Sequence, residues 1–138
     1  MNYIGSQINE SPTIVEKAGA DVQDGRCLLY KYDDNGQLVV ATAGTDVIAG
    51  IGLVESGYND VTGVEAGKVV AGDDLTVQIK DIGLVKAGGA IKKGAEVTAN
   101  AKGMAVEAAD GNYVIGIAQD KADAEGDFIY IQIVKYKK

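Results

Sequence analysis

Apolar and polar residues alternate over short distances along this chain. The alternating or β-branched-rich runs are 26–32, 37–43, 46–54, 74–80, 95–101, 104–109, 112–118 and 127–136. A two-residue period over four to eight residues predicts half-buried strands. Turn signals separate the runs. Asn35-Gly36 and Asp110-Gly111 predict hairpins in which Gly36 and Gly111 take positive φ; Asp24-Gly25 and Lys102-Gly103 are weaker versions. No segment sustains a 3.6-residue period, and the one helical candidate is a single turn over 120–125. Closely spaced strands predict an all-β fold, a compact β-sandwich or barrel built from short strands with glycine turns. The 19 glycines and single proline agree with that punctuation.

The last run has two apolar faces. Ile129, Ile131 and Ile133 line one; Phe128, Tyr130, Val134 and Tyr136 line the other. A strand with one solvated face should be polar there, so this strand is either central between layers or meets another subunit. Phe128, Tyr130, Val134 and Tyr136 are therefore the candidate oligomer interface.

The chain also resembles itself. Gly25 matches Gly94 at an offset of 69, Gly36 matches Gly103 at 67, and Gly50-Ile51 match Gly116-Ile117 at 66. Gly72-Asp73 match Gly126-Asp127 and Gln78-Ile79 match Gln132-Ile133, both at 54. The order and small drift predict an internal duplication of two β-units, quasi-repeats 22–80 and 91–136, packed around one core. The first copy holds about a dozen extra residues, a loop near Tyr58 and Asn59. Residues 21–138 form a single β domain on this reading. Residues 1–20 are an N-terminal arm, or else 13–17 is a first strand. Tyr3, Ile4, Ile8, Pro12 and Ile14, with Tyr58 and Asn59, are the candidate partner contacts.

At 138 residues the chain has the length of one domain. No run approaches the ~18 apolar residues of a membrane span. The first twelve residues lack a basic region followed by an apolar stretch, so the expectation is synthesis in a cytoplasm without a secretory signal. Cys27 is alone, which excludes an intrachain disulfide, and its setting predicts a buried apolar residue. The net charge of −7 argues against nucleic acid as partner; Lys135, Lys137 and Lys138 form the one basic cluster. Between 105 and 127 six acids face one base.

There is no histidine or tryptophan, and serine occurs only at Ser6, Ser11 and Ser56. Histidine-dependent triads and zinc sites have no ligands here. Asp33-Asp34-Asn35-Gly36 and Asp73-Asp74 lack the spacing of a calcium loop and read as turns. Asp120-Lys121-Ala122 resembles a lipoyl-attachment triplet, but lies too far beyond the glycine-punctuated stretch 85–97 for a carrier hairpin. No catalytic, cofactor-binding or metal-binding residues are assigned, and no cofactor is expected.

The order of motifs resembles a known family. Gly-Ala-Asp-Val at 19–22 is followed by strands at 47–54 and 71–79. Then come the glycine-punctuated stretch 85–106, Val-Ile-Gly-Ile-Ala at 114–118, an acidic alanine-rich turn, and Gly-Asp before a final apolar strand. Over roughly residues 14–135 this resembles the tailed-phage capsid cement, or head decoration, proteins. The resemblance implies a β-rich, commonly trimeric protein on the outer face of an icosahedral head, with no enzymatic activity. It implies the major capsid protein and other copies of the chain as partners, and a virion component made in the host cytoplasm. The alternatives are a carrier or ligand-binding module of biotinyl or lipoyl type, and a phage tail or spike module.

Overall fold

Each of the eight alternating runs contains one strand of the computed structural model, which describes residues 11–54, 56 and 67–138, and the backbone alone of 58–59 and 64–65. In chain order the strands are β1 (Thr13–Lys17), β2 (Leu29–Tyr32), β3 (Leu38–Val40), β4 (Ile48–Gly52), β5 (Tyr58–Asn59), β6 (Val64–Glu65), β7 (Asp74–Gln78), β8 (Ile82–Lys86), β9 (Glu96–Ala99), β10 (Ala105–Glu107), β11 (Tyr113–Ala118) and β12 (Phe128–Lys137). The described residues contain no helix.

Two five-stranded antiparallel sheets pack together as a β-sandwich. Their orders are β1-β7-β4-β2-β3 and β8-β12-β11-β9-β10. These are one topology built twice, in matching register. β1 pairs with β7 from Thr13↔Gln78 to Lys17↔Asp74; β8 pairs with β12 from Ile82↔Gln132 to Lys86↔Phe128. Ile51 faces Gln78 as Ile117 faces Gln132, and Tyr30 faces Gly50 as Val97 faces Gly116. Each sheet also curls on itself, because a parallel bridge joins its edges: Ala18 to Leu38 in the first, Ala87 to Ala105 in the second. The bridge removes part of each exposed edge, the usual liability of an open sheet.

The interior departs from the single core expected. Tyr30, Leu38, Leu75 and Val77 gather inside the first sheet with Ala18, Val69 and Met104. A second cluster fills the other sheet with Val85, Ile91, Val97, Ile115, Ile129 and Ile131, and takes in Leu29, Ile48 and Ile51 from the first. β4, at the centre of the first sheet, is thus covered on both faces, and every one of its residues is buried, whereas β1 and β7 keep one exposed face. Alternation gives Tyr30 to one cluster and Leu29 to the other.

Several local expectations are corrected. Asn35-Gly36 does join the hairpin β2–β3, and Gly36 has φ 74°. The loop is not the two-residue primed turn, however, because Asn35 does not take positive φ. The Gly36 N–H instead closes a turn onto the Asp33 carbonyl, with the glycine left-handed after it, as in three-residue hairpin loops. The second copy repeats this loop at Asn100–Gly103, so the true hairpin there is Lys102-Gly103. Asp110-Gly111 is a turn with Gly111 at φ 88°, but not a hairpin: β9 lies between β10 and β11. The expected helical turn at 120–125 is absent, since the Asp127 carboxylate accepts the N–H groups of Asp123 and Ala124 and holds them in an open turn. β8 was not anticipated; Gly83 interrupts its apolar run, packed where a side chain would meet Ile51 and Gln78.

Candidate contact surface

Antiparallel pairing puts directly opposed residues on the same face. The pairs Phe128–Lys86, Tyr130–Leu84 and Gln132–Ile82 therefore share the outer face of the second sheet. Ile129 and Ile131 point inward and are buried. Phe128, Tyr130 and Ile82 are each more than half exposed, at 56%, 53% and 57%. The strand is thus internal to its sheet yet open to solvent on one apolar side.

The duplication supplies a comparison within the molecule. At the matching register of the first sheet, Phe128 is replaced by Asp74, Tyr130 by Thr76, Ile82 by Thr13 and Leu84 by Val15. Lys86 corresponds to Lys17, whose ammonium pairs with Asp74 at 2.7 Å. One backbone arrangement therefore carries a largely polar, salt-bridged outer face in one copy and a largely apolar one in the other. Nothing in strand pairing requires this difference.

The four candidate interface residues do not remain one patch. A register shift between Val114 and Gly116 breaks the alternation of β12 after Ile133. Beyond it the Tyr136 hydroxyl donates to Glu96 Oε2 at 2.5 Å, and Lys138 Nζ lies 3.1 Å from Glu96 Oε1. Those two hydrogen bonds hold the Glu96 carboxyl below its ordinary range, and the one to Glu96 pushes the Tyr136 phenol up. Val134 is exposed. Ile82 and Leu84 were missed by sequence reading along with β8, although their alternation with Val85 was a signal.

At the Phe128 end a cavity of about 410 Å³ opens between the sheets, walled by Phe128, Leu84, Lys86, Val54, Arg26 and Asp24, with buried Cys27 at its back. Arg26 donates to both Asp24 oxygens at 2.8 Å and holds that carboxyl below the usual range. The extra residues of the first copy are rooted here. They lie between Val54, which lines the cavity, and Gly67, whose carbonyl accepts the Gly25 N–H. The backbone of this insertion forms the hairpin β5–β6, with Tyr58 and Asn59 in its first strand. The loop and the β12 face, expected as two separate surfaces, thus share a boundary.

Tyr3, Ile4 and Ile8 lie outside the described residues. Pro12 is exposed, and its carbonyl accepts the Ile79 N–H. Ile14 is half-buried opposite Val77 and packs against the first cluster; residues 13–17 are the edge strand β1. Lys121 is exposed and pairs with Asp123 at 3.4 Å. Charge is uneven along the chain: residues 1–80 carry 12 acids and 5 bases, residues 81–138 carry 8 of each. The acid-rich stretch 105–127 is local, and the whole −7 belongs to residues 1–80. Among the described residues no three His, Cys, Asp or Glu side chains gather as a metal site would need.

A family model described as phage cement protein matches residues 31–133. The fold is similar to the head fiber gp8.5 N base of bacteriophage phi29, with a TM-score of 0.56 and 25% identity over 91% of this chain and 98% of that one. No curated protein sequence matches.

Proposed function

The chain belongs to the phage cement protein family, and from that premise we propose that it binds the outer surface of a phage capsid and stabilises the shell without catalysing a reaction. Membership makes it a structural, capsid-associated component of the virion. The similarity to a head fiber base supports attachment at the head. The observation that carries the finer reading is the composite surface at the cavity of Phe128, Leu84 and Val54. Cementing requires area and shape over many copies, and this surface offers apolar area at Val54, where the segment carrying the β5–β6 hairpin begins. The major capsid protein is the partner. Contacts come from the hairpin at Tyr58 and Asn59, from Pro12, and from the segment holding Tyr3, Ile4 and Ile8; Ile14 contributes by fixing β1 rather than by touching the shell.

Cosedimentation of the purified chain with phage heads that lack it tests this. Saturable binding and a higher temperature of head disruption are expected. Absence of binding, or binding that leaves head disruption unchanged, overturns the proposal.

A further inference from the structure

We propose that the cavity rimmed by Lys92, Lys93 and Lys121 in the second copy binds an acidic segment of a different protein, an aliphatic side chain flanked by carboxylates. The cavity measures about 410 Å³, and Ala90, Ile91 and Ala122 give it an apolar lining between the lysines. Pockets that hold ligands begin at ~300 Å³. It shares no residue with the cavity at Phe128, so the inference does not rest on the shell-binding reading.

The duplication again supplies the comparison. The antiparallel bridge Ile91–Ala122 repeats Val22–Val69, and in each bridge both N–H groups are donated across it. Lys92, Lys93 and Lys121 therefore stand where the first copy has Gln23, Asp24 and Lys68. The next position in register sets Lys92 beside Lys121, where the first copy sets Gln23 beside Lys68. Like charges in opposed positions destabilise a strand pair, so folding does not ask for the second lysine. Ile91 and Ala122 belong to the second core cluster, which makes the base of the site rigid.

Charge selects the occupant. All three lysines are exposed. Among the described residues Lys121 pairs with Asp123 at 3.4 Å, while the Lys92 and Lys93 ammoniums have no ion-pair partner. Glu107 turns its Oε2 to the Lys92 backbone N–H instead, at 3.0 Å. Two unpaired cations beside apolar walls suit an anion that also carries apolar surface. Nucleic acid carries a charge every ~1.7 Å of its axis. It would set phosphates against Glu107 and Asp123 as well, and would approach a chain of net charge −7. A protein segment can place carboxylates at Lys92 and Lys93 alone, with an aliphatic side chain on Ala90 and Ala122 between them.

The test titrates the isotope-labelled full chain with the blocked tripeptide Glu-Leu-Glu at low salt, followed by amide NMR. Saturable shifts are expected at residues 90–93, 107 and 121–123, with a dissociation constant on the order of 1 mM, as weak exposed contacts give. The blocked tripeptide Gln-Leu-Gln is expected to bind about tenfold more weakly, the scale of two exposed ion pairs. The same loss is expected for Lys92→Gln with Lys93→Asp, which takes the residues that the first copy already tolerates. Should that variant not fold, Lys93→Gln alone is expected to weaken binding about threefold. Shifts that are absent or scattered over the chain overturn the proposal. So does equal binding of Gln-Leu-Gln or of acetate, tighter binding of a single-stranded oligonucleotide, or undiminished affinity of a folded variant. Loss of the peptide's shifts as the chain is concentrated also overturns it, because a second copy would then fill the cavity.

Discussion

Replacing Gly50 with alanine isolates the contact that fixes how closely the two central strands of the first sheet approach. Gly50 lies in β4, and a Cβ built there would sit 2.5 Å from the Gln78 carbonyl oxygen and 3.0 Å from Val77 Cγ2. Its φ is not positive, so the effect is steric and not conformational. The oxygen belongs to backbone, and relief requires β4 and β7 to separate by somewhat under 1 Å. That weakens the Ile51–Gln78 pairing. Overpacking costs ~1–3 kcal/mol and a lost backbone hydrogen bond ~1. The smaller unfolded-state entropy of alanine returns ~0.5, leaving a net loss of about 2–3 kcal/mol. A 138-residue chain has an unfolding entropy near 0.3 kcal/mol/K, so each kcal/mol shifts Tm by ~3–4 °C. The expected fall is about 7–10 °C, measured by circular dichroism at one fixed protein concentration. Gly111→Ala is the comparison, because Gly111 has open space around it and only its φ of 88° to defend; it should lose about 1 kcal/mol. A Gly50→Ala melting temperature within 2 °C of the unaltered chain (roughly 0.5 kcal/mol), or a smaller loss than that of Gly111→Ala, would refute the reasoning.

Two further outcomes follow from the same structure. Asp33 Oδ1 accepts the N–H groups of Asn35 and Gln37, and Asn100 Oδ1 those of Lys102 and Met104; Asp33→Ala and Asn100→Ala should each cost about 1–2 kcal/mol in urea denaturation, whereas Asn100→Asp should cost less than Asn100→Ala. Burial pushes the Tyr30 phenol above its ordinary range while its hydroxyl donates to the Gly25 carbonyl at 2.9 Å. The unfolded chain ionises near pH 10 and the folded one later, so this contribution to stability is complete below about pH 10 and is lost as pH rises past it; the urea midpoint should fall above pH 10, and Tyr30→Phe should flatten that fall.

The strands were legible because their period of two survives in almost every run, and the duplication because its matching residues carry physical duties. Gly50-Ile51 and Gly116-Ile117 recur because each glycine lies under a neighbouring carbonyl, of Gln78 and Gln132 respectively. Gly36 and Gly103 recur because both are left-handed at φ 74°. β8 escaped notice because Gly83 divides it, and β1 remained an alternative because a strand that fills an edge shows little alternation of its own. The order of strands was not legible: whether Asp110-Gly111 folds back on β10 or passes over β9 is decided by long-range pairing, not by the turn. The candidate contact surface was half legible. Phe128 and Tyr130 stood out as apolar residues on the wrong side of a strand, but the bulge that diverts Tyr136 to Glu96 leaves no mark in the pattern.

What the two copies share and what they do not separates folding from function. Shared are the inward Val77 and Ile131, the strand-crossing glycines, the side-chain-closed hairpin loops and the bridges at Ala18 and Ala87. Each of these is needed to close a five-stranded sheet on itself, and a change in either copy would cost stability. The differences are the outer face, the net charge and the insertion between Val54 and Gly67. None of them serves closure, since each copy forms its sheet with the alternative. Two of the three meet at the Phe128 cavity, where Val54 begins the insertion and Phe128 and Leu84 begin the apolar strip. Had the copies diverged by drift alone, their differences would lie scattered over exposed positions. Their meeting on one side of the molecule is what a contact surface requires, and it supports the proposal that the shell is met where the two halves of this chain have ceased to resemble each other.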